Sequence, residues 1–438
     1  MRRMAQTGRG AAGLVAVLFS SAALMVLGAG AGPAGATEVS HALLTAVPSS
    51  VTFQATTLGD VRFVAFQVTN TSTTTTDTIS GSVTTGANPN DFGAAPEADC
   101  PSDANGDVVL PPTKSCHIDA VFFPGALGAR SGTLNLNDSL NSAVTVNVSG
   151  TGSIGYYEVS SAGAVAHFGD ATFHGDASNL PLSHPIVGIA QTGDDGGYWL
   201  AASDGGIFNY GDAGFFGSAG GLALNKPIVG MAPTFDGGGY WEVATDGGIF
   251  SYGDAQFYGS TGAMHLNKPI VGMAATPDGG GYWLVASDGG LFAYGDAQFY
   301  GSTGAIHLNK PIVGMASTPD GGGYWLVASD GGIFAFGDAL FYGSTGAIHL
   351  NQPIVGMAAM PDGSGYWFAA ADGGLFNYGA PFYGSATGQI GTVVGIASDG
   401  APTIQAFTDS PALRSRGLAH GTGTSGWAVL PTGTRVEG

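Results

Sequence analysis

The chain has 438 residues, 32 of them acidic and 12 basic, for a formal charge of −20, and only 10% are charged, against roughly 25% in an ordinary soluble protein. A field of that sign repels phosphate backbones and argues against nucleic acid as a partner. Hydrophobic content of 44% argues against disorder, and the length exceeds the roughly 250 to 300 residues at which a single core stops growing, so two domains are expected.

Arg2, Arg3 and Arg9 precede an uncharged apolar run over 11–28 (AAGLVAVLFSSAALMVLG), and Ala34-Gly35-Ala36 follows. A basic start, an apolar stretch and an A-x-A site read as a signal peptide over residues 1–36, cleaved after Ala36. A retained anchor is the alternative, weakened by the Gly and Ala content of the run and by its length near the lower limit for a span. Twin-arginine export is another, although Arg2-Arg3 supplies only part of that motif. No later run is long and apolar enough to span a bilayer, so no membrane insertion of the mature chain is expected. The protein should be secreted and extracellular, or held at the cell envelope.

Residues 37–152 are rich in Thr, Val, Ser and Asn in short alternating runs, an all-β pattern. Val144, Val146 and Val148 alternate with Thr145, Asn147 and Ser149, and Cys116, Ile118, Ala120 and Phe122 make a second apolar row. With runs near 50–55, 61–70, 78–84, 107–110 and 131–136, about seven strands are expected, as in a β-sandwich. The only cysteines, Cys100 and Cys116, should form a disulfide, since neither a redox pair nor half of a metal site has the spacing it needs. The landmarks VPSSVTF, VAFQVTNTS, Asp91-Phe92, SCHIDAVFFP, GARSGTLNL and VTVNVSGTG resemble the immunoglobulin-like choice-of-anchor D domain, related to sandwich domains of ciliary and spindle-associated proteins. The resemblance implies a noncatalytic spacer or adhesion module.

Residues 153–438 are repetitive. Tyr156, Tyr198, Tyr240, Tyr282, Tyr324 and Tyr366 stand 42 residues apart, each opening a unit such as GYWLVASDGGLFAYGDAQFYGSTGAIHLNKPIVGMASTPDGG from Gly281. Four strands are read in each unit, exemplified by PIVGMAAT, YWLVAS, GLFAYG and AQFYGS, with Asp-Gly turns between them, which is the size of a β-propeller blade. A one-way solenoid is the alternative. A degenerate seventh unit is read at 403–409, with strand-like pieces near 417–420 and 426–430, one of which would complete the first unit. Seven blades are therefore expected, with six and a C-terminal extension as the runner-up. The unit resembles the GYW/SDGG/GDA repeats of secreted actinobacterial proteins, a likeness that implies a repeat fold and no particular activity.

The fold class expected is thus all-β, an N-terminal immunoglobulin-like β-sandwich followed by a β-propeller. Candidate chemistry is sparse. The Tyr-Trp pairs, Tyr282-Trp283 among them, read as packing between sheets or as a sugar platform. The Phe-Tyr pairs ending in Tyr258, Tyr300 and Tyr342 are placed nearer an outer edge. Asp204, Asp246, Asp288, Asp330 and Asp372 share one register, and Asp170, Asp212, Asp254, Asp296 and Asp338 share another; both read as turn caps, calcium being the alternative. His265, His307 and His349 recur in the inter-repeat loops and read as exposed or packed loop residues in preference to metal ligands. Glu158 and Glu242 break the repeat by replacing a Leu, and Asp176 and Asp194-Asp195 are also irregular. No GxSxG, HExxH or phosphate loop is present.

The expected function is noncatalytic binding of an extracellular glycan or cell-wall polymer by repeated loops. His265, Asn267, His307, Asn309, His349 and Asn351 would carry it, together with Tyr258, Tyr300 and Tyr342. A scaffold for another secreted protein is the alternative, and a hydrolase or lyase using Glu158 and Glu242 a further one. No cofactor is expected and no metal ligand is assigned.

Overall fold

The computed structural model describes residues 44–139, 144–193 and 195–400. The expected signal peptide and the strand candidates beyond residue 400 lie outside them. Within them every regular element is a strand except one 3-10 turn, Pro89–Asp91.

The N-terminal part holds two sheets. One has the order Leu44–Val47, Arg62–Asn70, Ser115–Phe122, Phe92–Pro96; the other runs Ser50–Thr57, Thr145–Ser153, Gly128–Asp138, Asp77–Thr85, Val108–Leu110. Their inner faces share a core in which Phe53, Phe92 and Phe122 meet at 4.9–6.2 Å between centroids, Phe92 stacked on Phe122 and Phe53 tilted against both. Val144, Val146 and Val148 are buried in it, as are Cys116, Ile118, Ala120 and Phe122, which confirms both alternations. Leu44–Val47 and Phe92–Pro96 are strands additional to the seven expected.

Cys100 and Cys116 are disulfide-bonded across 16 residues. Closing a loop of that size restricts the unfolded chain by about 3 kcal/mol. Cys100→Ser/Cys116→Ser should therefore lower the unfolding free energy by about that amount in urea titration. A loss near zero would show that the bridge adds nothing to the packed core.

The strand Thr145–Ser153 passes through Ile154 straight into Gly155–Ser160, so the expected boundary at 152 falls inside a continuous extended segment. Ile154 and Leu58 are buried in one cluster with Tyr156, Met360 and Trp367, and the Leu58 N–H donates to Ser153 O at 3.0 Å.

From residue 155 onward the described residues form six three-stranded sheets. The sheet built on Gly281–Ala286 is typical: Ile270–Ala275, Gly281–Ala286 and Leu291–Gly295, all antiparallel. First strands of consecutive sheets touch, and Val393–Ser398 touches both Ile354–Ala359 and Ile186–Gln191 while pairing with Gly155–Ser160. The cycle therefore closes at six, where seven were expected. The closing strand is VVGIAS, ahead of the pieces proposed for that task. First strands of adjacent sheets run close together at the axis, where a Cβ on Gly314 would make an ordinary van der Waals contact, 3.6 Å, with Gly356 Cα.

The expected fourth strand is absent, for a local reason. In the segment from Gln298 to Gly301, the backbone groups bond to side chains of the middle strands instead of to a neighbouring strand. Trp283 Nε1 donates to Gln298 O at 2.7 Å. The Tyr324 hydroxyl of the next repeat accepts from the N–H groups of Tyr300 and Gly301 at 3.0 Å and donates to Gly301 O at 2.6 Å. Gly301 at φ 144° turns the chain out of strand geometry. The polar tips of the Tyr-Trp pair thus do the work of a ladder.

Candidate ligand-binding site

Both residues of every Tyr-Trp pair are at most 1% exposed, which settles their role as packing. Each Trp ring meets the Tyr of the next repeat, Trp283 to Tyr324 at 5.7 Å, and Trp367 meets Tyr156 at 5.2 Å to complete the circle. No face is left for a sugar.

The three-stranded meander places the connections at alternating ends. The hairpin after the first strand (Pro277 to Gly280) and the turn after the third (Gly295-Asp296) share one end. The Ser287 to Gly290 hairpin and the inter-repeat loop share the other, where Thr303 Oγ1 donates to Asp288 O. His265, His307 and His349, with Asn267, Asn309 and Asn351, are exposed on that second end. Tyr258, Tyr300 and Tyr342 belong to the first end. The two groups of expected site residues are therefore not brought together.

At the second end, Asp204, Asp246, Asp288, Asp330 and Asp372 each accept the N–H two residues on at 3.0 Å, as turn caps do. The other register behaves differently. Thr234 Oγ1 reaches Asp254 Oδ1 at 2.9 Å and Asp236 Oδ1 at 3.2 Å, and Thr318 makes the same pair of bonds to Asp338 and Asp320. Asp254 and Asp338 are thereby each joined to a hairpin aspartate of their own repeat. Burial raises both Asp278 and Asp296, but hydrogen bonds from Gly280 N–H, Thr276 and Asp296 hold Asp278 below the usual carboxylate range. Asp296, carrying burial and the charge of Asp278, lies above it. The roles of Asp236, Asp278 and Asp320 as carboxylate partners were missed because the pairing depends on the meander and not on sequence distance.

Between consecutive repeats at this end lies a cavity of about 450 Å³ lined by Pro277, Asp278, Asp296, Gln298, Tyr300 and Asp320, among others. Tyr300 is half-buried, its hydroxyl donating to Gly321 O at 2.9 Å, and Tyr258 and Tyr342 hold Gly279 and Gly363 in the same way. The exposed member of each Phe-Tyr pair is the Phe: Phe257 is 62%, Phe299 60% and Phe341 66% exposed. Phe173, Phe215 and Phe382 are exposed at the equivalent positions, although there Phe216 and Tyr383, the residues following Phe215 and Phe382, are exposed as well. Nearer the axis a cavity of about 300 Å³ opens, lined mainly by Met, Pro, Ala and Thr side chains such as Met231, Met273, Pro277 and Pro361.

Glu158 and Glu242 are wholly buried, each on its own sheet and against a different backbone N–H, Ala386 at 3.2 Å and Ala219 at 3.2 Å. Burial pushes them up to about 7 and about 8. Asp176 caps Ser178 in a local turn. Away from the ring, Glu97, Asp99 and His117 bring potential ligand atoms within 4.8 Å of one another beside the disulfide. There Asp99 Oδ2 lies 2.7 Å from His117 Nδ1 and raises the pKa of the imidazole.

No family model and no curated protein matches the chain. Among solved structures, a structural-genomics protein of unknown function from Bacteroides thetaiotaomicron VPI-5482 aligns over 81% of this chain and 92% of its own, with TM-score 0.43 and 11% identity. The ASH/PapD-like domain 7 of human CEP192 aligns over 29% of this chain and 96% of its own, with TM-score 0.20 and 12% identity. Among the described residues no helix is long and apolar enough to cross a membrane.

Proposed function

We propose that the protein is a secreted, noncatalytic binding module in which an immunoglobulin-like sandwich carries a six-bladed β-propeller, and that grooves between its blades take an extracellular glycan or cell-wall polymer. The observation that carries this reading is the groove at Gln298 and Tyr300. It combines an acceptor-rich floor, Asp278, Asp296 and Asp320, with an exposed aromatic ring, Phe299, beside it. Sugar hydroxyls donate to carboxylates while the C–H face of the ring lies on an aromatic. Gln256, Phe257 and Tyr258 stand 42 residues before their counterparts, so a polymer meets the same arrangement again, and weak contacts add through multivalency. The disulfide is compatible with an oxidising compartment. Burial of Glu158 and Glu242 on separate sheets speaks against their use as a catalytic pair.

The test is binding of the protein to a panel of insoluble polysaccharides and cell-wall preparations. Phe257→Ala/Phe299→Ala/Phe341→Ala should weaken binding by about tenfold or more. Replacing His265, His307 and His349 with Ala, together with Asn267, Asn309 and Asn351, should leave it unchanged. The reverse result moves the site to the opposite end. A second reading has its own observation: Leu222, Met264, Ile306 and Ile348 are more than half exposed at the loop end, a repeated apolar surface suited to another secreted protein. Absence of polymer binding by folded protein favours that scaffold role.

A further inference from the structure

The outer face of the first N-terminal sheet carries a cluster of side chains that the ring does not use. Cys116, Ile118, Ala120 and Phe122 point into the core, so strand alternation turns His117 outward. The edge strand Phe92–Pro96 pairs antiparallel with Ser115–Phe122, and its register runs on past Pro96 and Ile118 to set Glu97 opposite His117. There the Glu97 N–H donates to His117 O at 3.0 Å.

Two further restraints fix the turn that follows. The Cys100 N–H donates to Glu97 O at 3.0 Å, and the disulfide ties Cys100 to Cys116, the neighbour of His117. Asp99 lies inside this turn. Its Oδ1 accepts the His117 N–H at 3.1 Å, which leaves Oδ2 against the imidazole, 2.7 Å from Nδ1. One ligand atom from each of Glu97, Asp99 and His117 thus lies within 4.8 Å of the other two, and among the described residues no other three His, Cys, Asp or Glu side chains converge so closely. The cysteines themselves are joined in the disulfide and act here only by placing the three ligands.

Asp99 is exposed and Glu97 and His117 are partly so, which gives an ion a path from solvent and the side chains room to adjust. Zinc bonds of about 2.0 to 2.2 Å set two ligand atoms of a tetrahedron roughly 3.3 Å apart. The Asp99–His117 contact has to open slightly and the widest separation to close by about 1.5 Å, which rotation about side-chain bonds supplies. One imidazole nitrogen beside two carboxylates suits a borderline ion, whereas calcium wants six to eight oxygens.

We propose that Glu97, Asp99 and His117 bind a divalent transition-metal ion of the zinc class, with a coordination position left open to solvent on the outer face of the sandwich. The site lies away from the grooves of the ring, so it stands whether or not they take a polymer.

The full chain, stripped with chelator and kept free of reductant so that the disulfide stays closed, is titrated calorimetrically with zinc chloride at about pH 7.5, where an ordinary histidine is neutral. One tightly bound ion per chain is expected. Cobalt(II) chloride should enter the same site and develop a visible ligand-field absorption that zinc then abolishes. His117→Gln and Glu97→Gln/Asp99→Asn change only the outer face, and the new Asn keeps an acceptor for the His117 N–H. Each variant should lower zinc affinity by about tenfold or more. His184→Gln, which breaks the 3.0 Å contact with Asp204 on the ring, should leave it unchanged. The proposal is overturned if the folded protein binds no zinc, if both ligand variants keep full affinity, or if calcium binds there more tightly than zinc.

Discussion

Glu242→Leu should raise stability at alkaline pH and flatten its pH dependence between about 4.5 and 8. Glu242 is wholly buried, its Oε2 accepts one N–H from Ala219, and its Oε1 has no partner. Burial, the largest influence, lifts its pKa from 4.5 to about 8. Between those values the folded protein holds a proton that the unfolded chain has released, so stability falls as pH rises through the window. By pH 9 the loss is on the order of 3 to 5 kcal/mol, which is a large fraction of a domain's net stability. Leucine occupies the equivalent position at Leu200, Leu284 and Leu326, all buried, so the replacement fits the space. Glu158→Leu should act alike over a window ending near 7. Urea titrations at pH 5, 7 and 9 measure this. Parallel curves for wild type and variant would mean that Glu242 does not retain its proton on folding.

Trp283→Ala should cost about 3 to 5 kcal/mol of unfolding free energy. It removes a ring with no exposure, its contact with Tyr324 of the next repeat at 5.7 Å, and the 2.7 Å bond from Nε1 to Gln298 O. Tyr324→Phe keeps the ring but deletes three bonds to the return segment, and should cost about 2 kcal/mol. Because Trp241 and Trp325 make the same contacts, their Ala variants should lose similar amounts. Chemical denaturation checks all four. Losses below about 1 kcal/mol for the tryptophan variants would remove the pair from its structural role.

Much of the strand content was legible because it rests on local rules. Alternation in 144–149 and 116–122 reported a buried face, and Asp-Gly pairs reported turns whose N–H groups the aspartates cap. The candidate site was less legible. Tyr300 was singled out for its place near an edge, yet its hydroxyl is engaged with Gly321 O and the adjacent Phe299 is the exposed ring. Asp296 was read as a turn residue, although Thr276 Oγ1 donates to it at 3.2 Å, and burial with the charge of Asp278 across the base of the meander raises its carboxyl above the usual range. Both outcomes depend on which end of the sheet a turn returns to, which spacing alone does not encode.

By itself the sequence determined the repeat length of 42, the all-β character and the paired cysteines, since these follow from periodicity, from alternation and from the presence of two cysteines in all; that the Tyr-Trp pairs are packing and not a sugar platform was decided by their burial in the structure. Only the tertiary structure decided that six sheets close the cycle, because closure depends on whether Val393–Ser398 pairs with Gly155–Ser160, a contact between distant ends of the chain. It likewise decided that AQFYGS is no strand, since tyrosine and tryptophan side chains capture the backbone groups a ladder would need. Bringing Asp195 and Asp399 onto one amide, Gln191 Nε2, required the same closure: residues from both ends of the ring meet only when it is complete.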